Sequence, residues 1–254
     1  MTASLSAAVS AFADYLLLIL PGMAILGTAF WLSRRDRDPA LRIIVLILGF
    51  ILMRDAMTPV GFWEFGLAGD SSVPWLRMSQ NPFVLIGFGL GSLSLVWATL
   101  RDPRLNELVT WGRATPSTIL FGLGGGILAA APVLLLSSPV PMEYRGGEVA
   151  LAVLPALLFM TLAGNLGEEV FFRGYLQGHL EERLSPLRSA LISGVLFAGC
   201  HVYLASTVTG VGWPLLAFVL WEGLICAFLR MRRGVVPAAL AHGIAIFFLA
   251  SGLL

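Results

Sequence analysis

Two adjacent glutamates, Glu168 and Glu169, lie in the stretch GNLGEEVFFRGYLQ (164–177) and are followed by Arg173. On a helix Glu169 and Arg173 are one turn apart and can form an ion pair, which leaves Glu168 about 100° around the helix without a partner. Ionisable side chains inside a strongly apolar stretch are costly, so they are paired, turned towards a protein interior, or functional. A glutamate in a low-dielectric site can take a proton from water. The stretch therefore predicts a structural ion pair at Glu169 and a general base at Glu168.

Further ionisable side chains occur in the apolar stretches that follow. They are His201 in FAGCH, Glu222, and His242 in AHGIAIF. At about 1.5 Å per helical residue, their depths below the nearest arginines agree with that of Glu168 within about two turns. Four helices can therefore bring a carboxylate and two imidazoles to one layer of a membrane. Because two imidazoles beside a glutamate can hold a metal ion, assist the base or stabilise an oxyanion, the set predicts hydrolysis.

Each of these side chains also has a structural interpretation when it is taken alone. His201 and His242 are compatible with helix packing, and Glu222 with a carboxyl group neutralised by burial. For Asn165 we expect an interhelical hydrogen bond, and for His179 a solvated position in a loop. The joint pattern favours chemistry, because ionisable groups at membrane depth are rare.

The composition is that of a polytopic membrane protein. Of the 254 residues, 57% are hydrophobic and only 12% are charged, and the mean hydropathy is +0.87. Soluble domains carry about 25% charged residues. The net charge of +1 argues against nucleic acid as a partner. Cys200 and Cys226 lie in apolar stretches, which indicates buried thiols rather than a disulfide framework.

A membrane-spanning helix needs about 20 apolar residues, and the sequence predicts eight spans. They run approximately over residues 12–32, 41–58, 82–100, 116–138, 148–170, 189–207, 213–230 and 236–254. The predicted fold class is therefore an all-α polytopic bundle of about eight transmembrane helices, forming one integrated membrane domain. Residues 1–147 would supply four scaffold helices, and residues 148–254 the four helices that carry the polar motifs.

Arginines alternate between the loops that join these spans. The even-numbered loops contain Arg77 and Arg145, and the odd-numbered loops contain Arg34, Arg35, Arg37, Arg42, Arg101, Arg104, Arg113, Arg173, Arg183, Arg188, Arg230, Arg232 and Arg233. Basic residues concentrate on the cytoplasmic side of a membrane. We therefore expect the odd-numbered loops inside and both termini on the non-cytoplasmic side.

Two features of the first four spans bear on packing and orientation. Arg54 and Asp55, near the end of the second span, are expected to pair or to extend to the outer interface. The following loop provides Trp63 and Trp75 as interfacial anchors. The GxxxG spacing at 87–91 and 122–126 predicts close helix packing.

The ordered motifs resemble the CPBP family of intramembrane proteases, also called the CAAX-protease and bacteriocin-processing or Abi family. Its pattern is EExxxR, then FxxxH, then HxxxN or HxxxD, on successive membrane helices of an all-α fold. The first motif is complete from Glu168 to Arg173, and the second ends at His201. The third has His242 but carries Ile246 in place of Asn or Asp. The resemblance covers roughly residues 148–254.

The resemblance implies that Glu168 activates the attacking water with help from His201. Glu169 and Arg173 would support the first motif, and His242 would help to stabilise the oxyanion. Two mechanisms remain open: a metal-free glutamate mechanism, and a zinc ion held by Glu168, His201 and His242 with an open coordination position.

Ile246 removes one oxyanion donor of the family pattern. Such a loss typically costs about 10²–10³ in rate. Glu222 lies at a depth similar to that of His242 and is a candidate to compensate.

The main hypothesis is an intramembrane endopeptidase that cleaves a membrane-associated protein or peptide near the cytoplasmic end or the middle of the membrane. The resemblance allows a prenylated C-terminus, a bacteriocin leader or a C-terminal sorting tail as its substrate. We expect a multi-pass enzyme in the lipid bilayer of a bacterial inner membrane. One rival is a scaffold protein whose catalytic site has decayed, which Ile246 favours. The other is a proton-coupled transporter, which the lack of a recognisable internal repeat disfavours.

Overall fold

The computed structural model describes residues 4–69 and 71–253, most of which are helical. The helices are α1 (Leu5–Ser33), α2 (Ala40–Asp55), α3 (Pro82–Leu100), α4 (Pro103–Asn106), α5 (Pro116–Ser137), α6 (Leu154–Glu169), α7 (Gln177–Glu181), α8 (Pro186–Gly199), α9 (Trp213–Arg233) and α10 (Val235–Ser251). Between them lie the π-helical segments Val170–Leu176 and Leu204–Val208 and the 3-10 turns Met142–Arg145 and Leu151–Val153. The predicted helix bundle is therefore confirmed.

Local sequence signals set the ends of several helices. The side chain of Asn81 accepts a hydrogen bond from the backbone of α3, and that of Thr115 does the same for α5. Each is followed by a proline at the first helical position, where the missing N–H costs nothing. Gly234, with φ +94°, lies between α9 and α10 and lets the chain reverse there.

The segment between α2 and α3 forms a β-hairpin, which the sequence analysis treated as a loop. β1 (Trp63–Leu67) pairs antiparallel with β2 (Pro74–Met78), and Phe65 lies opposite Leu76. Large apolar residues alternate with other residues along β1, which is the two-residue period of a strand. That signal was present in the sequence.

Within residues 4–69 and 71–253, six helical segments are long and apolar enough to cross a membrane. They are Leu5–Ser33, Pro82–Leu100, Pro116–Ser137, Leu151–Glu181, Pro186–Val208 and Trp213–Arg233. The protein is therefore an integral multi-pass membrane protein. The two other predicted spans correspond to α2, with 16 residues, and α10, with 17 residues. The count of eight transmembrane helices stays a prediction.

The odd-numbered loops meet at one end of the bundle, which we call the arginine face. It consists of residues 34–39, 101–115, 182–185 and 234. There Nη2 of Arg183 lies 2.9 Å from Oδ2 of Asp38, and Arg42 pairs with Asp102. The pKa of Asp38 lies below its usual value because the backbone N–H of Ala40 and the guanidinium of Arg183 donate hydrogen bonds to its carboxylate. These ion pairs connect the first, third and fifth loops.

The even-numbered loops meet at the opposite end, which we call the hairpin face. It consists of residues 56–69, 71–81, 138–153 and 209–212. Arg77 of β2 donates hydrogen bonds to the carbonyl oxygens of Gly147, at 2.9 Å, and Leu249, at 2.8 Å. The hairpin is thereby fixed to the fourth loop and to the end of α10. Which face is cytoplasmic stays a prediction.

Small residues bring α10, which carries His242, close to α5. A Cβ atom at Gly122 or Gly126 would come within 2.8 Å of atoms of α10. Gly87 packs in the same way against a phenylalanine ring of α1. A Cβ atom at Gly91 would meet nothing within 4 Å, so the packing expected from the GxxxG spacing is wrong at this residue.

Candidate active site

The first motif lies where α6 passes into the π-helical segment Val170–Leu176. Glu169 and Arg173 are fully buried, and Nε of Arg173 lies 3.2 Å from Oε2 of Glu169. Nη2 of Arg173 also donates a hydrogen bond to the carbonyl oxygen of Gly223 in α9, at 2.8 Å. The expected ion pair is therefore formed, and it also ties α6 to α9. π-Helical turns of this kind are frequent at functional sites.

Phe197, the first residue of FxxxH, lies at the centre of the polar cluster. The guanidinium carbon of Arg173 lies 4.2 Å from the centre of its ring, which is a cation–π distance. The ring centres of His201 and His242 lie 4.6 Å and 5.7 Å from that of Phe197. One aromatic ring therefore contacts the arginine of the first motif and both histidines.

His201 follows the end of α8 and is buried. Its Nδ1 atom lies 2.8 Å from the carbonyl oxygen of Phe197. Because a carbonyl oxygen can only accept, the proton is on Nδ1, and Nε2 of a neutral imidazole is left as an acceptor.

Three carboxylates surround the imidazole of His242. Nδ1 lies 2.9 Å from Oε1 of Glu169, which is a hydrogen bond. Nε2 lies 3.6 Å from Oε2 of Glu168 and 3.5 Å from Oε2 of Glu222. All four side chains are buried. His242 thus joins α6, α9 and α10 at one point, and Glu222 belongs to the cluster through contact as well as depth.

Glu168 lies on the wall of a cavity of about 370 Å³. The same wall includes His201, Glu222 and His242. The Oε2 atom of Glu168 has no hydrogen-bond partner in the part of the chain that the structure describes. A buried carboxylate oxygen without a partner is unusual, because it has lost its hydration without gaining a hydrogen bond.

The cavity extends from the polar cluster towards the hairpin face. Trp63, Phe65 and Trp75 of the hairpin line it, as do Phe12 of α1 and Gly91 of α3. Among the described residues, none of the arginine face contributes to its wall. The two tryptophans expected as interfacial anchors therefore border the interior space that reaches Glu168.

Arg54 is a residue of the site that the sequence analysis did not identify. It does not extend to the interface: only 3% of its surface is exposed, and it lines the cavity. Nε donates a hydrogen bond to Asp55, at 2.8 Å, and Nη2 donates to the carbonyl oxygen of Cys200, at 2.9 Å. Nη1 is buried and has no partner among the described residues. The sequence signal was an Arg–Asp pair at the end of an apolar span, the same type of signal that identified Arg173.

Three further expectations can be compared with the structure. Asn165 lines the cavity and makes no hydrogen bond with any described residue, so the expected interhelical hydrogen bond is wrong. His179 is buried in α7, with Nδ1 2.8 Å from Oε2 of Glu182, so its expected solvated position is also wrong. Ile246 lines the cavity one turn after His242.

The side chains do not fit the predicted zinc site. Among the described residues, the ligand atoms that lie within 4.8 Å of one another belong to Glu169, Cys226 and His242. Glu169 already faces the guanidinium of Arg173 and accepts the hydrogen bond of His242. A zinc ion would have to replace that bond and share the carboxylate with a buried cation. The trio of Glu168, His201 and His242 is not brought to ligand distance, so no step of the mechanism uses a metal.

Comparison with known proteins identifies the part of the chain that carries this cluster. Residues 150–248 match the model of a family described as type II CAAX prenyl endopeptidase Rce1-like. No curated protein and no solved structure matches the chain. The matched stretch contains the first two motifs and His242 of the third, and the resemblance predicted from them is confirmed. The chain is therefore similar to Rce1-like type II CAAX prenyl endopeptidases over residues 150–248, which are less than half of its length.

Proposed function

We propose that the protein is an intramembrane endopeptidase in which Glu168 activates water for attack on a peptide bond. The observation that carries the proposal is that Glu168 lines a cavity together with His201 and His242, while its buried Oε2 atom has no hydrogen-bond partner among the described residues. The family of residues 150–248, whose members are described as endopeptidases, supports hydrolysis of a peptide bond.

The reaction follows from these groups. Glu168 takes a proton from a water molecule while the water oxygen forms a bond to the carbonyl carbon of the scissile peptide. The π electrons of the carbonyl group move to its oxygen and give a tetrahedral oxyanion. When this intermediate collapses, the C–N bond breaks and Glu168 returns its proton to the leaving nitrogen. His201, with Nε2 as a free acceptor, holds the second hydrogen of the water.

We assign His242 to the positioning of Glu168 rather than to the oxyanion. Its Nδ1 is bonded to Glu169, and its Nε2 faces the carboxylates of Glu168 and Glu222 at 3.6 Å and 3.5 Å. Nε2 therefore faces two carboxylates at ion-pair distance rather than at hydrogen-bond distance. Glu222 would fix the imidazole plane from α9 while Glu169 fixes it from α6.

We assign the oxyanion donor to Arg54. Its Nη1 is buried without a partner and the residue lines the cavity. Its other donors are held by Asp55 and the carbonyl oxygen of Cys200, so the guanidinium is preorganised. A fixed charged donor in a buried site stabilises a developing oxyanion strongly. Arg54 would thereby replace the Asn or Asp that Ile246 removes from the family pattern.

The proposed substrate is a membrane-associated protein or peptide with an apolar segment beside the scissile bond. The cavity wall is chiefly apolar, with a few convergent polar groups at its inner end. A prenylated C-terminus, a bacteriocin leader and a C-terminal sorting tail share this chemistry. The four N-terminal predicted spans would act as more than a scaffold, since Arg54 comes from them. A bacterial inner membrane remains the proposed location.

A scaffold with a decayed site is the second candidate, because Ile246 places an apolar side chain where the family has a polar one. The two candidates differ in one measurable property. A scaffold functions without Glu168, whereas a protease does not.

The experiment maps protein termini in membranes and secreted fractions of cells that produce equal amounts of wild type, Glu168→Gln or Glu107→Gln. Glu107 is an exposed carboxylate on the arginine face and is the matched control. We expect a terminus that depends on wild type, persists with Glu107→Gln and disappears with Glu168→Gln. The same terminus in cells with Glu168→Gln would refute the proposed base. If no terminus depends on the protein while Glu168→Gln still complements a deletion, the scaffold is correct.

A further inference from the structure

We propose that the free edge of β1 binds an extended segment of the substrate as a third strand beside the catalytic cavity. The identity of the bound segment rests on the proposed function, because the segment is part of the substrate of the same site. The edge itself is a property of the hairpin and can be tested without hydrolysis.

The register of the hairpin shows which backbone groups of β1 are free. The backbone N–H of Ser79 donates a hydrogen bond to the carbonyl oxygen of Phe62, and that of Ala68 donates to the carbonyl oxygen of Val73. In an antiparallel ladder, residues alternate between facing the partner strand and facing away from it. The even-numbered residues of β1 therefore bond to β2, and the N–H and C=O groups of Trp63 and Phe65 point outward.

These outward groups make no hydrogen bond with any residue that the structure describes. The next outward carbonyl, that of Leu67, accepts the indole N–H of Trp75 at 3.2 Å and ends the free stretch. Unpaired edge groups of a strand are a template for pairing with another chain. The free edge therefore consists of two outward-facing residues, Trp63 and Phe65. Their two N–H and two C=O groups can form four main-chain hydrogen bonds.

A second space of about 370 Å³ lies along this part of the hairpin. Its wall combines Trp63, Glu64 and Phe65 of β1 with Val208 and Thr209, which end the π-helical segment after His201. We call it the edge groove. A strand that pairs with β1 would lie about 4.8 Å from β1. The edge groove is the open space beside such a strand.

The edge groove adjoins the catalytic cavity. Trp63, Phe65 and Trp75 line both spaces, so these three aromatic side chains form their shared wall. A segment paired with β1 therefore lies one side chain away from the space that contains Glu168. This adjacency to the space that contains Glu168 favours the substrate over a second copy of the chain as the occupant.

Strand addition suits the chemistry of the site. A peptide bond must be extended to expose both faces of its carbonyl group to a base and an oxyanion donor. Main-chain hydrogen bonds supply affinity whatever the side chains are, and pockets for alternate side chains supply specificity. The edge would thus set the direction of the substrate and the distance from its paired segment to the scissile bond.

The test compares two substitutions of Phe65 in full-length Glu168→Gln protein in lipid nanodiscs. Phe65→Pro removes the ring and the outward N–H, whereas Phe65→Ala removes the ring and retains the N–H. Proline is tolerated on an edge strand where its missing N–H faces away from the ladder, so both variants should have the same melting temperature. The probe is a fluorescent farnesylated heptapeptide ending in Cys-Val-Ile-Met, and the readout is its dissociation constant.

We expect Phe65→Pro to bind the peptide about three- to tenfold more weakly than Phe65→Ala, the effect of one backbone hydrogen bond. N-methylation of successive peptide amides should weaken binding to the Phe65→Ala protein at alternate residues only. The proposal would be overturned if the two variants bound the peptide equally well. It would also be overturned if N-methylation weakened binding without alternating from residue to residue, or if the Glu168→Gln parent did not bind the peptide. If the protein formed dimers in a concentration-dependent way and only Phe65→Pro abolished them, the edge would bind a second copy of the chain. That result would also overturn the proposal. Because the parent cannot hydrolyse the peptide, failure here is distinguishable from failure of the proposed enzyme activity.

Discussion

The Nδ1 atom of His242 lies 2.9 Å from Oε1 of Glu169. Oε2 of Glu169 also lies 3.2 Å from Nε of Arg173, whereas Oε2 of the neighbouring Glu168 lies 3.6 Å from Nε2 of His242 and forms no ion pair with an arginine among the described residues. Two residues adjacent in sequence thus have different ionic partners in one buried cluster. We expect substitutions of the two glutamates to have different consequences.

Glu169→Gln should destabilise the fold while Glu168→Gln should not. The first substitution leaves the guanidinium of Arg173 buried without its carboxylate, and breaking a buried pair in this way costs about 3–5 kcal/mol. The measurement is thermal or denaturant unfolding in the same detergent. A larger loss of stability in Glu168→Gln than in Glu169→Gln would contradict the assignment of Glu169 to structure.

Glu222→Gln should lower kcat by up to about a hundredfold, because it removes the carboxylate that faces Nε2 of His242 at 3.5 Å and lets the imidazole beside Glu168 shift. KM should not change, since Glu222 would act through His242 rather than on the substrate. The readout is the rate of formation of the wild-type-dependent terminus in reconstituted membranes. Glu222→Asp should recover part of kcat, and equal rates for wild type and Glu222→Gln would remove Glu222 from the mechanism.

Arg54 and Ile246 should compensate for each other. Arg54→Gln is combined with Asp55→Asn so that Asp55 is not left as an unpaired buried carboxylate. The double variant should have a kcat lower by about 10²–10³-fold, because it lacks an oxyanion donor. Ile246→Asn restores the amide of the family pattern on the same wall of the cavity.

The decisive comparison adds Ile246→Asn to each background. In the Arg54→Gln/Asp55→Asn protein it should raise kcat at least tenfold, and in wild type it should change kcat much less. Asp55→Asn alone reports the cost of removing the partner of Arg54. A gain of the same size in both backgrounds would mean that Arg54 does not act as the oxyanion donor.

Chelation of metal ions should leave hydrolysis unchanged. Of the donor atoms that lie together, those of Glu169 and His242 are already engaged with each other and with Arg173, and the thiol of Cys226 donates to the carbonyl oxygen of Ala238. Incubation with 1,10-phenanthroline, followed by dialysis, should therefore preserve the rate in reconstituted membranes. Loss of activity that added zinc restores would require a rearranged site.

The motif residues were predictable because their signal is local. EExxxR places a carboxylate and a guanidinium one turn apart, so the pair of Glu169 and Arg173 follows from helical spacing alone. Membrane depth, counted from the arginines, also brought Glu222 to the level of His242, and the structure confirms their contact at 3.5 Å.

Other parts of the site depend on tertiary structure that no local pattern encodes. Arg54 was expected to pair with Asp55 or to extend to the outer interface; the pair is formed, but the interfacial position is wrong. Its side chain is instead buried because the carbonyl oxygen of Cys200, far away in sequence, accepts its hydrogen bond. Asn165 was expected to bond to another helix, and the helices around it separate to form the cavity instead. The hairpin could have been recognised from the alternation in β1, but its position over the cavity could not.

The position of the cavity relative to the two faces has a consequence for when the enzyme acts. Its wall includes the hairpin and no described residue of the arginine face, and the concentration of arginines predicts that the latter faces the cytoplasm. On this orientation, and in contrast to the cleavage near the cytoplasmic end or the middle of the membrane expected from the sequence, a polypeptide that enters the cavity from the hairpin face reaches Glu168 after its cleaved part has crossed the bilayer. Cleavage would then follow export in time and release the exported part from its hydrophobic anchor, so the rate of translocation would set an upper limit on the rate of processing.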